Sequence, residues 1–576
     1  MDPRTAAHIL EQIGALLELH GADRFKSRAY SSAARAVLSV EAEDICEPLR
    51  SGELRNRKGL GPATLSVLED LCATGDSSYL DRLREDSPEG LLEMMRVPGL
   101  GTAKIHLIHR ELGVETLHEL DEAARDGRLA GLPRFGKKTA EKILKGIAYL
   151  RETSSYVLYP HALAESRQLL AWVLRHPDVE RAAVTGSLRR HREVIRDIDI
   201  VAACRTDPAA VAASFARAPS VKNAIGVGGR SVAIRFVDGT LLDLHCVEVA
   251  RFPVALWRAT GSEEHESQIR THAGARGFTI VDDEIRSAQG DVVNVTDETN
   301  LYALLGLPYI EPEIREARGE LAAALRHQLP SLVTAKDIRG ALHCHSEYSD
   351  GTATIAEMAA AARSRGWSYL GISDHSQSAF YAGGLTREAV QAQHDEIDRF
   401  NEAANGFRVL KGIEADILAD GRLDYDPDFL ERFDYVIASV HSRFGMEQAG
   451  MTDRVIRALE QPHVTILGHP TGRLLLTREA YPIDMDAVLR KALETGVAVE
   501  LNADPHRLDL DWRLCHTAKT LGVAVEIGPD AHSTQSLDNM EYGIGIARKG
   551  WLEPADVLNA QSADDVLAQG KRRSLT

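Results

Sequence analysis

Between His343 and His532 the chain places nine residues of the two types that hold first-row divalent metals: His343, His345, Asp350, His375, Glu414, His441, His469, Asp530 and His532. Most follow a short apolar run, where a strand hands over to a loop and where barrel enzymes collect catalytic groups. A lone His-x-His pair such as His343-Cys344-His345 is as often coincidence as ligand. The pattern recurs, however, in Ser373-Asp374-His375, Gly412-Ile413-Glu414, Ser439-Val440-His441, Leu467-Gly468-His469 and Gly528-Pro529-Asp530-Ala531-His532. These residues predict a metal centre. Lys411, Arg443 and Arg473 lie close to ligands in sequence and are candidates for holding phosphate, each equally readable as a surface charge.

A second acidic constellation lies upstream. Asp197 and Asp199, at alternate positions of Asp197-Ile198-Asp199-Ile200-Val201, share one face of a strand. Asp243 comes from a second alternating run, Leu241–Leu244, which Asp238-Gly239 joins to Val232–Phe236 as a hairpin. Three close carboxylates repel unless cations neutralise them, so Mg²⁺ or Mn²⁺ is implied. Two such ions would activate a sugar hydroxyl and orient a triphosphate. Gly186-Ser187-Leu188-Arg189-Arg190, just upstream, offers amides, a hydroxyl and guanidinium groups for phosphate oxygens.

The elements that must position these groups differ along the chain. Residues 1–155 read as helices broken by three similar turns, Lys58-Gly59-Leu60-Gly61, Pro98-Gly99-Leu100-Gly101 and Pro133-Arg134-Phe135-Gly136. Each turn precedes a helix and leaves backbone amides free for a phosphate. Gly59, Gly61, Gly99, Gly101, Lys104, Gly136, Lys137 and Lys138 are the candidate DNA contacts. From Tyr156 helix and strand mix. Glu311 to Ala335 is charged and alanine-rich, a helix plus connector. Beyond it seven apolar runs alternate with helix-length stretches, which predicts a parallel α/β barrel.

At 576 residues the chain holds several domains. No apolar run approaches the roughly 20 residues that span a bilayer, and no signal-like segment opens the sequence, so a cytoplasmic enzyme is expected. The six cysteines form no CxxC pair and are expected to be reduced thiols. Net charge is −18, yet residues 1–150 hold 21 Lys plus Arg against 24 Asp plus Glu, a net of −3. DNA would then be held by local patches, backbone amides and metal ions rather than by a bulk positive field.

GSLRRHREVIRDIDI followed by LLDLH resembles the nucleotidyltransferase core of bacterial family X DNA polymerases, and the nine-ligand pattern resembles their C-terminal polymerase-and-histidinol-phosphatase (PHP) domain. The resemblance covers nearly the whole chain. It implies a multidomain protein: an all-α helix-hairpin-helix region, an α+β palm of the family X type and a distorted (β/α)7 PHP barrel. The expected division is 1–85 and 86–155 for the DNA-binding helices, 156–262 for the palm, 263–315 for a nucleotide-binding or thumb-like subdomain, 316–335 for a linker and 336–572 for the barrel.

The resemblance assigns Asp197, Asp199 and Asp243 as catalytic metal ligands. It places Gly186, Ser187, Arg190, Thr260, Gly261, Ser262 and Glu266 around the nucleotide, with two Mg²⁺ or Mn²⁺ ions and a dNTP. The barrel is expected to hold three ions, Mn²⁺ or Zn²⁺. The implied function is short-gap filling in DNA repair by a monomer, on gapped or nicked duplex in the nucleoid. A metal-dependent 3′–5′ exonuclease or 3′-end-processing activity accompanies it.

Several positions depart from the family. Arg258-Ala259 replaces an aromatic pair, Glu266 stands where asparagine is common, His191 replaces a glycine and Arg196 a small residue. Val67 stands where animal relatives carry a Schiff-base lysine, so no 5′-deoxyribose-phosphate lyase activity is expected. The departures sustain an alternative, a Mn²⁺-dependent 3′ exonuclease or phosphatase with a weak or vestigial polymerase site. A non-catalytic repair scaffold has no need of twelve metal-ligand candidates. A small-phosphoester hydrolase would explain the barrel but not the hairpins or palm.

Overall fold

The computed structural model describes the chain apart from residues 2, 20–23, 39, 41–43, 86–88, 96, 134, 219–220, 237–238, 405 and 575–576. It divides into two compact units, Met1–Ser155 and Tyr156–Thr576.

The first unit is helical. Helix α1 (Pro3–Leu19) buries Ala6, Leu10, Ile13 and Leu17, apolar residues three or four apart that form one stripe. That stripe packs against α2 (Arg24–Leu38). After the short α3 (Cys46–Ser51), helices α4 (Pro62–Thr74), α5 (Thr102–Leu112) and α6 (Lys137–Thr153) each begin directly after a glycine of the three turns. Val67 is buried in α4, as an apolar side chain should be. The expectation of six reduced thiols is corrected: Cys46 and Cys72 form a disulfide, with Cα atoms 5.5 Å apart. Cys204, Cys246, Cys344 and Cys515 are free and buried. The packing of α3 on α4 brings together two cysteines 26 residues apart, a pairing no local motif announces.

The second unit opens with a five-stranded sheet in the order β1 (Val179–Val184), β2 (Ile198–Cys204), β5 (Leu241–Glu248), β4 (Ser231–Phe236), β3 (Val221–Ile225). Strands β2 and β5 are parallel, with Asp199 opposite Asp243. The expected hairpin of β4 and β5 is present; Asp238 of its turn lies outside the described residues. Helices α7 (Phe252–Thr260) and α8 (Glu263–Ala275) follow, then an antiparallel sheet of Phe278–Val281, Glu284–Ser287 and Val292–Val293. Glu320 begins a short helix, is fully buried and accepts from His265 Nδ1 at 2.6 Å.

Seven parallel strands in sequential order form the barrel: β6 (Gly340–Ala341), β7 (Tyr369–Ile372), β8 (Arg408–Asp416), β9 (Tyr435–Ser439), β10 (Ile466–Leu467), β11 (Ala498–Asn502) and β12 (Val525–Gly528). A parallel bridge between Cys344 and Ala531 joins the last strand to the first. Helices α9 (Ile355–Ser364), α10 (Arg387–Ala403), α11 (Gln448–Leu459), α12 (Met485–Thr495), α13 (Trp512–Leu521) and α14 (Met540–Lys549) follow between and after the strands. The buried Tyr435 ring closes the interior beneath the strand ends, its hydroxyl donating to the Leu342 carbonyl. A Cβ at Gly371 or Gly412 would lie only 2.1 or 2.2 Å from that side chain, so glycine is needed at both. Among the described residues no helix is long and apolar enough to cross a membrane.

Candidate active sites

All nine barrel candidates lie at the C-terminal ends of the strands or in the loops just after them. Glu414, near the end of β8 and 1% exposed, is the hub. Its Oε1 lies 3.0 Å from His469 Nε2, 3.2 Å from His441 Nε2 and 3.5 Å from His343 Nε2. Its Oε2 lies 2.8 Å from His375 Nδ1 and 3.9 Å from His345 Nε2. Asp530 Oδ1 faces His345 at 3.4 Å and His343 at 3.6 Å. Asp350 faces His532 at 3.3 Å and His375 at 3.6 Å.

The ligand atoms form three groups, each drawn within 4.8 Å: His345, Asp350, His375 and His532; His343, His345 and Asp530; and His375, Glu414 and His441. His343 Nε2 and both ring nitrogens of His345 are buried without a hydrogen-bond partner. Leaving such atoms unsatisfied costs roughly 1–3 kcal/mol each. Divalent cations among these nitrogens and carboxylates would satisfy them, so the donor set fits metal.

The carboxylates of the cup favour protonation of some of its imidazoles and not of others. Burial alone would lower His375, but Glu414 and Asp350 beside it raise it to about 10. His441, buried against Glu414 and Asp416, is raised to about 9, and His532, buried against Asp350 and Asp530, likewise to about 9. His345 goes the other way, lowered to about 3 by burial and by the neighbouring His532 and His375.

The residues that aim these ligands were not visible in the sequence. Glu500 on β11 accepts from His343 Nδ1 at 2.6 Å and from the His469 amide. Asp416 accepts from His441 Nδ1 at 2.6 Å. Asn502 donates to Asp530 Oδ2 at 2.9 Å, and Arg507 Nε lies 3.6 Å from the same oxygen. Fixing the second ring nitrogen fixes which nitrogen faces the metal. Asp374 holds the loop after β6 through the Ser346 amide and hydroxyl.

Of the three cations left open between phosphate and surface charge, two are engaged away from the cup. Lys411 is three residues before Glu414 on β8, an odd spacing that turns it outward, and it pairs with Asp398 of α10 at 2.6 Å. Arg473 is spent on the carbonyls of Arg507 and Leu508, on Asp511 at 3.2 Å and on Glu193 of the palm region at 3.7 Å. Arg443 is exposed two residues beyond His441. Arg507 is a half-buried cation beside the cup that sequence reasoning missed.

In the palm, Asp199 on β2 stands opposite Asp243 on β5, with Asp197 just before β2. The Asp199 carboxylate packs against Gly186, where an added Cβ would lie 1.7 Å from Oδ2 and where φ is +62°. Only glycine allows that approach. Burial and the neighbouring Asp197 and Asp243 raise Asp199 to about 7. Asp243 on β5 is raised as well, by partial loss of water around its carboxylate and by Asp197. Arg196 donates to Asp197 Oδ2 at 2.9 and 3.1 Å, which gives its departure from the family a local role. His191, at φ +52°, adopts the left-handed backbone that explains the usual glycine, and its ring stacks on Tyr159 at 4.9 Å.

The nucleotide candidates converge, though several are already engaged. Arg190 Nη1 donates to the Thr260 carbonyl at 2.7 Å and the Gly261 carbonyl at 3.3 Å, so the two loops meet. Its Nε pairs with Glu316 at 3.0 Å, and the side chain is 13% exposed. The expectation of an open triphosphate guanidinium at Arg190 is therefore corrected. Lys549 of α14 donates to the Arg190 carbonyl at 3.0 Å and pairs with Glu316, fastening the barrel to this loop. Ser262 caps α8 by accepting from the His265 amide. Glu266 pairs with Arg270 at 2.6 Å, and Arg258 with the buried Asp283 at 3.0 Å, so neither is a free charge. Ser187 remains partly open beside Gly186.

In the first unit, Cβ atoms added at Gly61, Gly99, Gly101 and Gly136 would meet nothing within 4 Å, so these turns present bare backbone. Gly59, at φ +100°, instead packs on Ser32 and Ala36 of α2. Lys104 donates to the Gly99 carbonyl at 3.1 Å, and Lys137, Lys138, Lys142 and Lys145 are exposed on α6. Gly136 directly precedes α6, so amides and lysines share one helix end.

Four family profiles match the chain. They are a helix-hairpin-helix domain over residues 1–77, a SAM-like helix-hairpin-helix tandem over 91–148, the DNA polymerase beta thumb over 255–316 and the PHP domain over 341–503. The protein named DNA polymerase/3′-5′ exonuclease PolX of Bacillus subtilis (strain 168) is 38% identical over 576 residues, covering 99% of this chain and 100% of that one. A probable phosphatase of Syntrophotalea carbinolica is 30% identical over 234 residues, 38% of this chain and 90% of that protein. A probable phosphatase of Thermoanaerobacter sp. (strain X514) is 29% identical over 185 residues, 30% of this chain and 73% of that one.

Proposed function

We propose that this chain, which belongs to the family X DNA polymerases with helix-hairpin-helix, polymerase-thumb and PHP domains, fills short gaps in DNA at its palm and trims 3′ ends at its barrel. The observation that carries this reading is a cup of imidazoles and carboxylates at the barrel's strand ends beside a separate sheet that sets Asp199 opposite Asp243. Placing both on one chain raises the effective concentration of each for a shared DNA end.

In the palm, Asp197, Asp199 and Asp243 would hold two Mg²⁺ or Mn²⁺ ions. Bound there, the ions neutralise the carboxylates and stabilise charge on the departing pyrophosphate. Gly186 lets the loop close on Asp199, Ser187 offers a hydroxyl to the triphosphate, and the exposed Asp243 is the carboxylate open to a primer terminus. Thr260 and Gly261 are held to this loop through Arg190.

In the barrel the nine ligands would hold three Mn²⁺ or Zn²⁺ ions, which activate water and stabilise a departing 3′ oxygen. Glu500 and Asp416 keep His343 and His441 aimed inward, and Arg507 and Arg443 supply positive charge near the phosphodiester. The hairpin turns before α4, α5 and α6 hold the DNA backbone through amides and lysines. We further propose a cytoplasmic monomer divided at residues 85, 155, 262, 315 and 335.

A second reading, a chain acting mainly as a 3′ nuclease or 3′ phosphatase, draws on the engagement of Arg190 by Glu316. Product length on a 5′-labelled primer in a one-nucleotide gap, with Mn²⁺ and four deoxynucleotides, separates the two. A +1 product lost in Asp199→Ala but kept in His343→Ala is the expected result. Shortening lost in His343→Ala, with no extension once trimming is blocked, would leave the second reading.

A further inference from the structure

Between β7 and α10 the chain makes a short 3-10 turn, Phe380–Ala382, at the mouth of the barrel. Phe380 is 86% exposed and Tyr381 71%, consecutive aromatic rings facing water. The Tyr381 ring centroid lies 6.2 Å from that of His375 and 6.3 Å from that of His441, two of the metal-ligand candidates.

The turn is anchored beneath the rings. Ala379 and Ala382 are buried on either side of them. The Ser378 amide donates to Asp424 at 2.6 Å, and its hydroxyl donates to Asp416 Oδ2 at 2.9 Å. Asp416 is the carboxylate that also receives the His441 proton at 2.6 Å. One side chain thus fixes both a ligand and the turn that carries the rings. Two large rings held in water by a rigid base leave apolar surface that a flat ligand would cover.

We propose that Phe380 and Tyr381 are a base-stacking platform: they grip the base of the nucleotide whose phosphodiester lies in the cup. The proposal rests on the nuclease reading of the barrel given above. Tyr381 stands about one sugar's width from the cup, the separation between a nucleotide's phosphate and its base. Aromatic side chains hold single-stranded bases by their faces whatever the sequence, so the platform would favour nucleotides over small phosphoesters without selecting one base. The barrel's relatives named as probable phosphatases show why such a determinant matters on this fold.

The test compares two substrates in Mn²⁺. One is a thymidine trinucleotide; the other is the same trimer with a 3′-terminal abasic tetrahydrofuran residue. The wild type should prefer the first. Phe380→Ala/Tyr381→Ala should raise KM for the complete trimer by roughly ten- to a hundredfold with kcat little changed, leave the abasic trimer unaffected and so erase the preference. Tyr381→Phe, which keeps both rings, should keep the preference. Equal loss on both substrates would make the turn a support for the metal ligands and overturn the proposal. So would an unchanged double variant, which would leave the rings to a protein partner. A wild type that cuts neither trimer would overturn the nuclease reading, and the platform with it.

Discussion

In the barrel, Glu414 meets five imidazoles, and Asp350 and Asp530 meet three each. In the palm, Asp199 and Asp243 face chiefly Asp197 and each other, with Arg196 and Arg190 as the nearby positive charges. Among the described residues, only the barrel brings three or more ligand atoms within 4.8 Å of one another. The difference lies in donor chemistry. Imidazoles that accept protons let a carboxylate cup close before any metal arrives, whereas an all-carboxylate cup stays strained by repulsion until cations come. On the proposed reading the barrel would retain its ions, and the palm would take them up with a triphosphate.

The bluntest way to break this comparison is to remove one member of each cup. His343→Ala should lower 3′-end hydrolysis by about a thousandfold, a loss typical of groups acting on transition-state charge, and leave gap filling intact. Asp199→Ala should do the reverse. Parallel loss of both activities in either variant would show that the two sites are not independent.

Glu500→Gln sharpens the account of how the barrel is closed. It preserves shape but weakens the hold on His343 Nδ1, and should cost about 10–100-fold in metal affinity or hydrolysis. Isothermal titration with Mn²⁺ reads this directly.

Acidity should separate the cups next. His375, His441 and His532 are raised from 6.5 to about 10, 9 and 9. Their ion pairs stabilise the metal-free fold fully below pH 6.5, and that stability is lost as pH rises through about 9 to 10. Metal competes with those protons, so Mn²⁺ binding should tighten from pH 6 to pH 9 and release protons. Titrations in buffers of different ionisation enthalpy would detect the release.

The smallest effect concerns stability in the palm. Asp199 is raised from 3.8 to about 7, so its ionisation opposes folding: metal-free stability falls between pH 4 and pH 7 and stays low above it. Asp199→Asn should therefore raise the melting temperature of metal-free protein at pH 8, with the gain fading toward pH 4. A lower melting temperature at pH 8 would show that the three carboxylates do not strain one another.

The two sites were legible in the sequence to different depths. The nine barrel ligands stood out because most follow a short apolar run, and the seven runs became the seven strands. Glu500 and Asp416 did not, since a single carboxylate within a strand gives no clue to its partner across the barrel. Lys411 was left open between phosphate and surface charge for a related reason: nearness to Glu414 in sequence says nothing of strand face, and the odd spacing turns it outward. Arg190 was placed on the right loop, but its pairing with Glu316 depends on a residue 126 positions away. Cys46 and Cys72 are joined by helix packing, which the pattern of cysteines alone does not encode.

Metal retention tests the central claim most directly. Protein loaded with Mn²⁺ would be exchanged into metal-free buffer and weighed by native mass spectrometry, as wild type, Asp199→Ala and His343→Ala. The account predicts up to three retained ions in the wild type, the same number in Asp199→Ala and fewer in His343→Ala. Retention that falls in Asp199→Ala and stays whole in His343→Ala would contradict it.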